Sequence, residues 1–265
     1  MRHYTRVLSI AGSDSGGGAG IQADIKAITA LGCYAATAIT AVTVQNTVGV
    51  EAVHPIPAHI IRGQIEAVLG DIGADAVKIG MLHSAEAVEA VCAALRRYTV
   101  RNVVLDPVMT STSGFLLTGE NAIAAMQSEL IPLARVITPN IPEAEILLGG
   151  GRLGGQDSLG DAARCLAHKY NVSVLLKGGH MQEESLVDCF YDIESDGLLL
   201  MTSRRTDTRN THGTGCTMSS ALASLLAKGA TLKDAVLGAK DFITKAIIRG
   251  AKYETGRGHG PVKVK

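Results

Sequence analysis

Gly213, Thr214, Gly215 and Cys216 open an apolar run in which Met218, Ala221, Leu222, Leu225 and Leu226 fall at the spacing of one helical face. Lys228 followed by Gly229 is the stop signal. Glycines at a helix start let successive backbone N–H groups converge where the macrodipole already places partial positive charge, so an anion is expected there. Cys216 then stands where a phosphate arrives, as a nucleophile or a base. The same fragment also fits a plain tight turn before a buried helix, with an inert, small apolar cysteine.

Other polar residues sit at the ends of apolar runs: Gly12 with Asp14, then Gln45, Gly80 with Met81, Asp106, Asn140, and Lys177 with Gly178 and Gly179. If those runs are parallel strands, these positions share the carboxyl edge of one sheet, where ligands bind. One basic residue, two acids and an anion-binding helix start make a phosphoryl-transfer set, which works by positioning and charge neutralisation. Asp106 and Glu143 are oxygen ligands suited to Mg²⁺, directly or through its waters. Each residue has a structural reading beside the chemical one. Asp106 before Pro107 suits a turn cap, Glu143 suits the dipole of its own helix, Lys177 suits a solvated strand end, and Met81 suits the core.

The elements that must hold these residues follow from periodicity. Residues 6–12 (RVLSIAG) read as a buried first strand, and a helix begins at Ala19 and stops at Gly32. Strands are expected at 34–43, 50–54, 76–81, 102–106, 135–138 and 173–177, and helices at 57–72, 84–98, 119–130, from about Pro142, and at 158–170. Residues 186–193 and 198–204, with Asp196 and Gly197 between them, read as an edge hairpin, and 231–252 as the last helix. Strands alternating with helices at this spacing predict an α/β fold with a mostly parallel sheet covered on both faces. No linker or repeat divides the chain, so one domain over residues 1–265 is expected.

Composition narrows the function. Twenty-five basic and 25 acidic residues leave a net charge of zero, without the basic face that nucleic acid requires, and Trp is absent. Cys33, Cys92, Cys165, Cys189 and Cys216 contain no CxxC pair, which predicts a reducing compartment, and no segment resembles a signal peptide or a membrane span. A cytoplasmic protein is expected. Two phosphate loops are ruled out: residues 12–17 supply the GxxxxG half of a Walker A motif, but Gly18 and Ala19 occupy its Lys and Ser/Thr places. A dinucleotide-binding enzyme is disfavoured because Gln45 and Asn46, not an acid, close the second strand.

Eight motifs then occur in a recognisable order: IAGSDSGGGAGIQADIK (10–26), TAVTVQNT (40–47), KIGML (78–82), DPVM (106–109), ITPNIPEAE (137–145), LLKGGH (175–180), NTHGTGCTMSSA (210–221) and GHGPV (258–262). From residue 6 to 262 the chain resembles the ribokinase-like superfamily, and within it the hydroxymethylpyrimidine/phosphomethylpyrimidine kinases of thiamine biosynthesis. The resemblance implies a three-layer α-β-α sandwich and a homodimer. It also implies use of ATP and Mg²⁺ to phosphorylate 4-amino-5-hydroxymethyl-2-methylpyrimidine, and then its monophosphate to the diphosphate. It places the pyrimidine near Gly12, Ala19, Asp24, Gln45, Met81 and Val108. Asn140 and Glu143 match a metal element assisted by Asp106, and Lys177, Asn140, Thr211, Gly213 and Gly215 would meet the nucleotide. Gly213, Thr214, Gly215 and Cys216 match an anion hole with Cys216 in the catalytic-base position. A thiol there has a rationale, since its ordinary pKa of about 8.5 falls at a helix N-terminus. Residues 110–115 (TSTSGF) lack the lid Lys of many relatives, with Thr112 in that region. They also lack the lid Cys of relatives that phosphorylate pyridoxal, which favours the pyrimidine reading. Pyridoxal kinase is the alternative within this fold, and a binding protein without catalysis the alternative outside it.

Overall fold

The computed structural model describes residues 3–110, 117–155, 158–179 and 185–265. Its centre is a nine-stranded sheet in the order β3-β2-β1-β4-β5-β6-β7-β8-β9. The strands are β1 (Arg6–Asp14), β2 (Tyr34–Gln45), β3 (Val50–Pro55), β4 (Ala76–Ile79), β5 (Val103–Leu105), β6 (Val136–Ile137), β7 (Ser173–Leu176), β8 (Ser185–Asp192) and β9 (Gly197–Arg204). From β2 through β7 neighbouring strands run parallel, while β3, β8 and β9 pair antiparallel at the two ends. The expected mostly parallel sheet with an edge hairpin is what forms.

Successive side chains of the inner strands enter different cores, as strand pleating requires. Leu8, Val77, Leu105 and Ile137 pack under α2 (Ala58–Ala67), α3 (Ala85–Tyr98), α5 (Ile141–Leu148) and α6 (Leu159–Tyr170). Val7, Ala76, Val104 and Val136 pack under α1 (Gly20–Ala30), α7 (Thr214–Ala227) and α8 (Leu232–Gly250) on the other face. The short α4 (Glu120–Ala125) completes the first layer. Two expected helices are interrupted, since α2 passes into a π-turn at Val68–Ile72 and α4 into another at Met126–Leu130. Two strands outrun their expected ends, β1 reaching Asp14 and β2 reaching Gln45. Among the described residues no helix is long and apolar enough to cross a membrane.

Candidate active site

The carboxyl ends of β1, β2, β4, β5, β6 and β7 form one edge, and two glycine loops interlock above it. Gly213, the N-cap of α7, has φ of 77°, a left-handed conformation that favours glycine, and a side chain there would overlap the Gly18 carbonyl. A side chain on Gly18 would in turn strike the His212 ring. Asp14 staples the first loop: one carboxylate oxygen accepts from Gly16 N at 2.8 Å, the other from Gly18 N at 3.0 Å, Ala19 N at 2.8 Å and His212 Nε2 at 2.9 Å. Burial pushes the Asp14 carboxyl upward, but the hydrogen bonds from His212 and the loop amides outweigh it and hold it below the usual carboxylate range. The helix start and the glycine loop therefore act as one unit, with the first-turn amides of α7 turned toward the sheet edge.

Beside this cradle, Lys177 Nζ donates to Asp106 at 2.7 Å, and Thr138 Oγ1 donates to the same oxygen at 3.0 Å. Neither member is solvated: the side chains are 14% and 2% exposed. Burial pushes Lys177 downward, yet Asp106 and Glu143 raise it further, so it keeps its charge. Asp106 is pushed up by burial and pulled below the usual range by Lys177 and Lys78. Gly215 makes room for the pair, because a Cβ there would lie 3.1 Å from Lys177 Nζ and 3.4 Å from Asp106 Oδ2. The solvated strand end that residue type alone allows for Lys177 is not found.

Glu143 closes a capping box on α5, accepting from Asn140 N at 2.8 Å while its own N–H donates to Asn140 Oδ1 at 2.9 Å. It thus answers its helix as residue type alone allowed, and it is also 4% exposed and feels the charges of Lys177 and Asp106. Burial, with Asp106 adding to it, pushes its carboxyl up to about 7 against the pull of Lys177. Among the described residues no group of three or more His, Cys, Asp or Glu gathers as a ready metal site. The donor set is nevertheless of hard oxygens around an under-compensated buried carboxyl, the chemistry that suits Mg²⁺ completed by phosphate and water.

One expectation needs correction. The Cys216 thiol is not lowered in the chain alone: burial pushes it up to about 11, against the pull of Lys78, and the carboxylates of Asp24 and Asp106 add to the rise. Desolvation outweighs the helix end. Asp24 is held by partners within the chain. It is fully buried, accepting from Ser9 Oγ at 2.6 Å, Lys78 Nζ at 2.9 Å and Ser220 Oγ at 2.7 Å. Because Ser220 lies one turn after Cys216, the Asp24–Lys78 pair ties α1 and β4 to the start of α7 and supports the wall from behind.

Among the other residues expected near the pyrimidine, Gly12, Met81 and Val108 lie together. Met81 packs with Ala41 and Leu117 in a small apolar cluster apart from the two main cores, with Val108 against it. A side chain on Gly12 would lie 2.7 Å from the Met81 methyl. Ala19 and Gln45 are half-buried around the same loop. Asn140 pairs with Lys177 across the strand ends, whereas the Thr211 side chain is exposed. Thr112 and residues 111–116 lie outside the described residues. His212, Lys78 and Ser220 are absent from the sequence-based set, although a lysine inside the apolar run AVKI and an aspartate inside a run of glycines are visible signals. A separate cleft of about 420 Å³ opens where α3 and α4 begin, with Glu86 and Glu120 on its walls, and it carries none of these residues.

A family model described as phosphomethylpyrimidine kinase matches residues 14–263. The chain belongs to the phosphomethylpyrimidine kinase family. A hydroxymethylpyrimidine/phosphomethylpyrimidine kinase of Rhizobium meliloti is 47% identical over 255 residues, 96% of this chain and 95% of that protein. A phosphomethylpyrimidine kinase structure from Clostridium difficile superposes with a TM-score of 0.80 at 42% identity, covering 91% of this chain and 99% of that one. The ADP complex of Bacillus subtilis pyridoxal kinase superposes with a TM-score of 0.89 at 37% identity, covering 98% and 97%. The motif-based expectation of a kinase of this family in thiamine biosynthesis is borne out, as is the ribokinase-like fold.

Proposed function

We propose that the protein transfers the terminal phosphoryl group of ATP to the hydroxymethyl oxygen of 4-amino-5-hydroxymethyl-2-methylpyrimidine, and a second to the resulting monophosphate. The observation that carries this reading is the meeting of the Gly213–Cys216 helix start with the Lys177–Asp106 pair on the sheet edge, beside the Met81 and Val108 wall. ATP as donor is supported by a Staphylococcus aureus pyridoxal kinase solved with AMP-PCP and pyridoxal, 32% identical to this chain.

In this reading the amides of Gly213, Thr214, Gly215 and Cys216 take the charge that develops on the transferring group, and Lys177 neutralises the nucleotide phosphates. Asn140 and Thr211 lie on the nucleotide side. Cys216 accepts the hydroxymethyl proton. Its high pKa makes the thiol the resting form, so it first releases its own proton to solvent as the substrate and cationic groups assemble around it, and the thiolate then takes the hydroxymethyl proton. Gln45 offers both a donor and an acceptor to the aminopyrimidine edge, and Met81 and Val108 supply apolar walls. Asp106 and Glu143 would hold Mg²⁺, which when bound offsets phosphate charge. The proposed unit is one kinase domain over residues 1–265. We place it in the cytoplasm, in keeping with its five free cysteines. A homodimer is proposed, for which exposed Val42, Val44 and Val48 offer an apolar face.

The likeness to pyridoxal kinases supports pyridoxal as a second, poorer substrate. The intact helix start, Lys177 and Asn140–Glu143 element speak against a binding protein without catalysis. A time course with Mg-ATP and the hydroxymethylpyrimidine, read by mass spectrometry, tests the proposal. Monophosphate followed by diphosphate is expected, and ATP left unconsumed would refute it.

A further inference from the structure

Gln45 is held from several sides. Its backbone N–H donates to Ser15 Oγ at 2.9 Å and its carbonyl accepts from the same hydroxyl at 2.7 Å, so Ser15 fixes the main chain. Its carboxamide lies between two groups from distant parts of the chain: Thr43 Oγ1 is 3.1 Å from Oε1, and His212 Nε2 is 3.3 Å from Nε2. The His212 ring is itself anchored, since its side chain is 11% exposed and Nε2 lies 2.9 Å from Asp14 Oδ2. Its backbone is held by the C-terminal segment, with His212 N donating to Gly260 O at 3.0 Å and Val262 N donating to His212 O at 3.3 Å.

The hydrogens on His212 and Thr43 decide which way this carboxamide faces. A lone pair on His212 Nε2 aimed at a carboxylate at 2.9 Å is repulsive, so Nε2 carries a proton and donates to Asp14. The Gln45 amide nitrogen at 3.3 Å then opposes donor to donor. At the other end, the single Thr43 hydroxyl hydrogen is directed at Ser13 O at 3.0 Å as well as at Gln45 Oε1. One half-turn of the carboxamide removes both conflicts. Oε1 then shares the single His212 Nε2–H with Asp14 as the longer arm of a three-centre bond, and Nε2 donates to Thr43 Oγ1, whose hydrogen stays on Ser13.

We propose that His212, held by Asp14, is a positioning residue that together with Thr43 locks the Gln45 carboxamide in one orientation, and so sets how the site reads an aminopyrimidine edge. The locked amide keeps one lone pair on Oε1 and one N–H on Nε2 for the open side. That acceptor–donor pair matches an exocyclic amino group next to a ring nitrogen, and mismatches a ring that presents a hydroxyl in place of the amino group. The inference rests on the functional reading above and deepens it.

Steady-state kinetics on His212→Leu, His212→Gln and Thr43→Val, each alone and combined with Gln45→Ala, test it. His212→Leu should raise the KM for the hydroxymethylpyrimidine about five- to tenfold, the ratio that one lost hydrogen bond implies, with kcat and the KM for ATP changed less than about twofold. His212→Gln, which can return an N–H toward the carboxamide, should recover most of that loss. In the Gln45→Ala background neither His212→Leu nor Thr43→Val should raise KM further, because both act through Gln45. Effects that multiply in the double variants would overturn the inference, as would His212→Leu lowering kcat with the pyrimidine KM unchanged. Should His212→Leu fail to fold, the Thr43→Val cycle decides the same question. The wild-type reaction separates the two failures: no pyrimidine product from wild type refutes the functional reading, whereas normal product with multiplicative effects refutes the positioning role alone.

Discussion

Cys216 stands at the first turn of α7, yet burial holds its thiol up to about 11 while Lys78 pulls the other way. Its alkylation in the free protein is therefore expected to be slow at neutral pH and to keep rising with unit slope in log rate through pH 9, followed by peptide mapping with iodoacetamide. A rate that levels off below pH 8 would show a thiolate. Cys216→Ala should lower kcat about a hundredfold, the share that general-base catalysis supplies, while nucleotide binding persists. Glu143, raised by burial as well, carries a consequence for stability. Its carboxyl is raised to about 7, chiefly by burial, so its contribution to stability is full below its unfolded value and is lost as pH rises through the folded one. Glu143→Gln should thus leave the melting temperature nearly unchanged at pH 4 and raise it at pH 8.5, by an amount on the order of 1–3 kcal/mol of stability, while lowering activity. No gain at pH 8.5 would show the carboxyl ionising normally.

At the scale of elements, α7 joins the proposed catalytic parts, and its glycines separate folding from chemistry. Gly215 lies inside the first turn, where alanine is favoured over glycine by about 1 kcal/mol. A Cβ there crowds Lys177 and Asp106. Gly215→Ala should therefore keep or raise the melting temperature and lower kcat at least tenfold; unchanged kcat would remove the pair from the mechanism. Such a helix is legible in sequence because its start, face and stop are all local, and the structure starts it at Thr214 and caps it at Lys228, followed by Gly229 with φ of 87°. The π-turns that end α2 and α4 are not legible, since one extra residue in a turn leaves the apolar spacing almost unchanged. Polar Asp14 and Gln45 read as lying beyond strand ends, yet loop partners satisfy their side chains and the strands run on. Asp24 is visible as a lone acid on a helix. Its partners Lys78 and Ser220 are 54 and 196 residues away, a distance no local pattern spans.

Over the whole molecule, strand–helix alternation announces the parallel sheet but not the strand order. The chain runs outward from β1 to β3, then crosses back to place β4 on the other side of β1. Connections reverse between β1 and β4, with α1 on one face and α2 on the other, and at such a switch point the strand ends part to admit a ligand. Asp14, Met81 and the loop reaching His212 meet there, and Asp106 and Lys177 follow along the same edge. The fold alone serves pyridoxal kinases as well, so under the proposed function the choice of substrate falls to Gln45 and the apolar cluster of Met81 and Val108. The most direct test is a competition: the purified protein, Mg-ATP, and equimolar hydroxymethylpyrimidine and pyridoxal, with products followed by mass spectrometry. Pyrimidine mono- and diphosphate forming well ahead of pyridoxal phosphate is the predicted result. Pyridoxal phosphate as the main product would contradict the account, leaving the fold and phosphate site in place but assigning them to another vitamin.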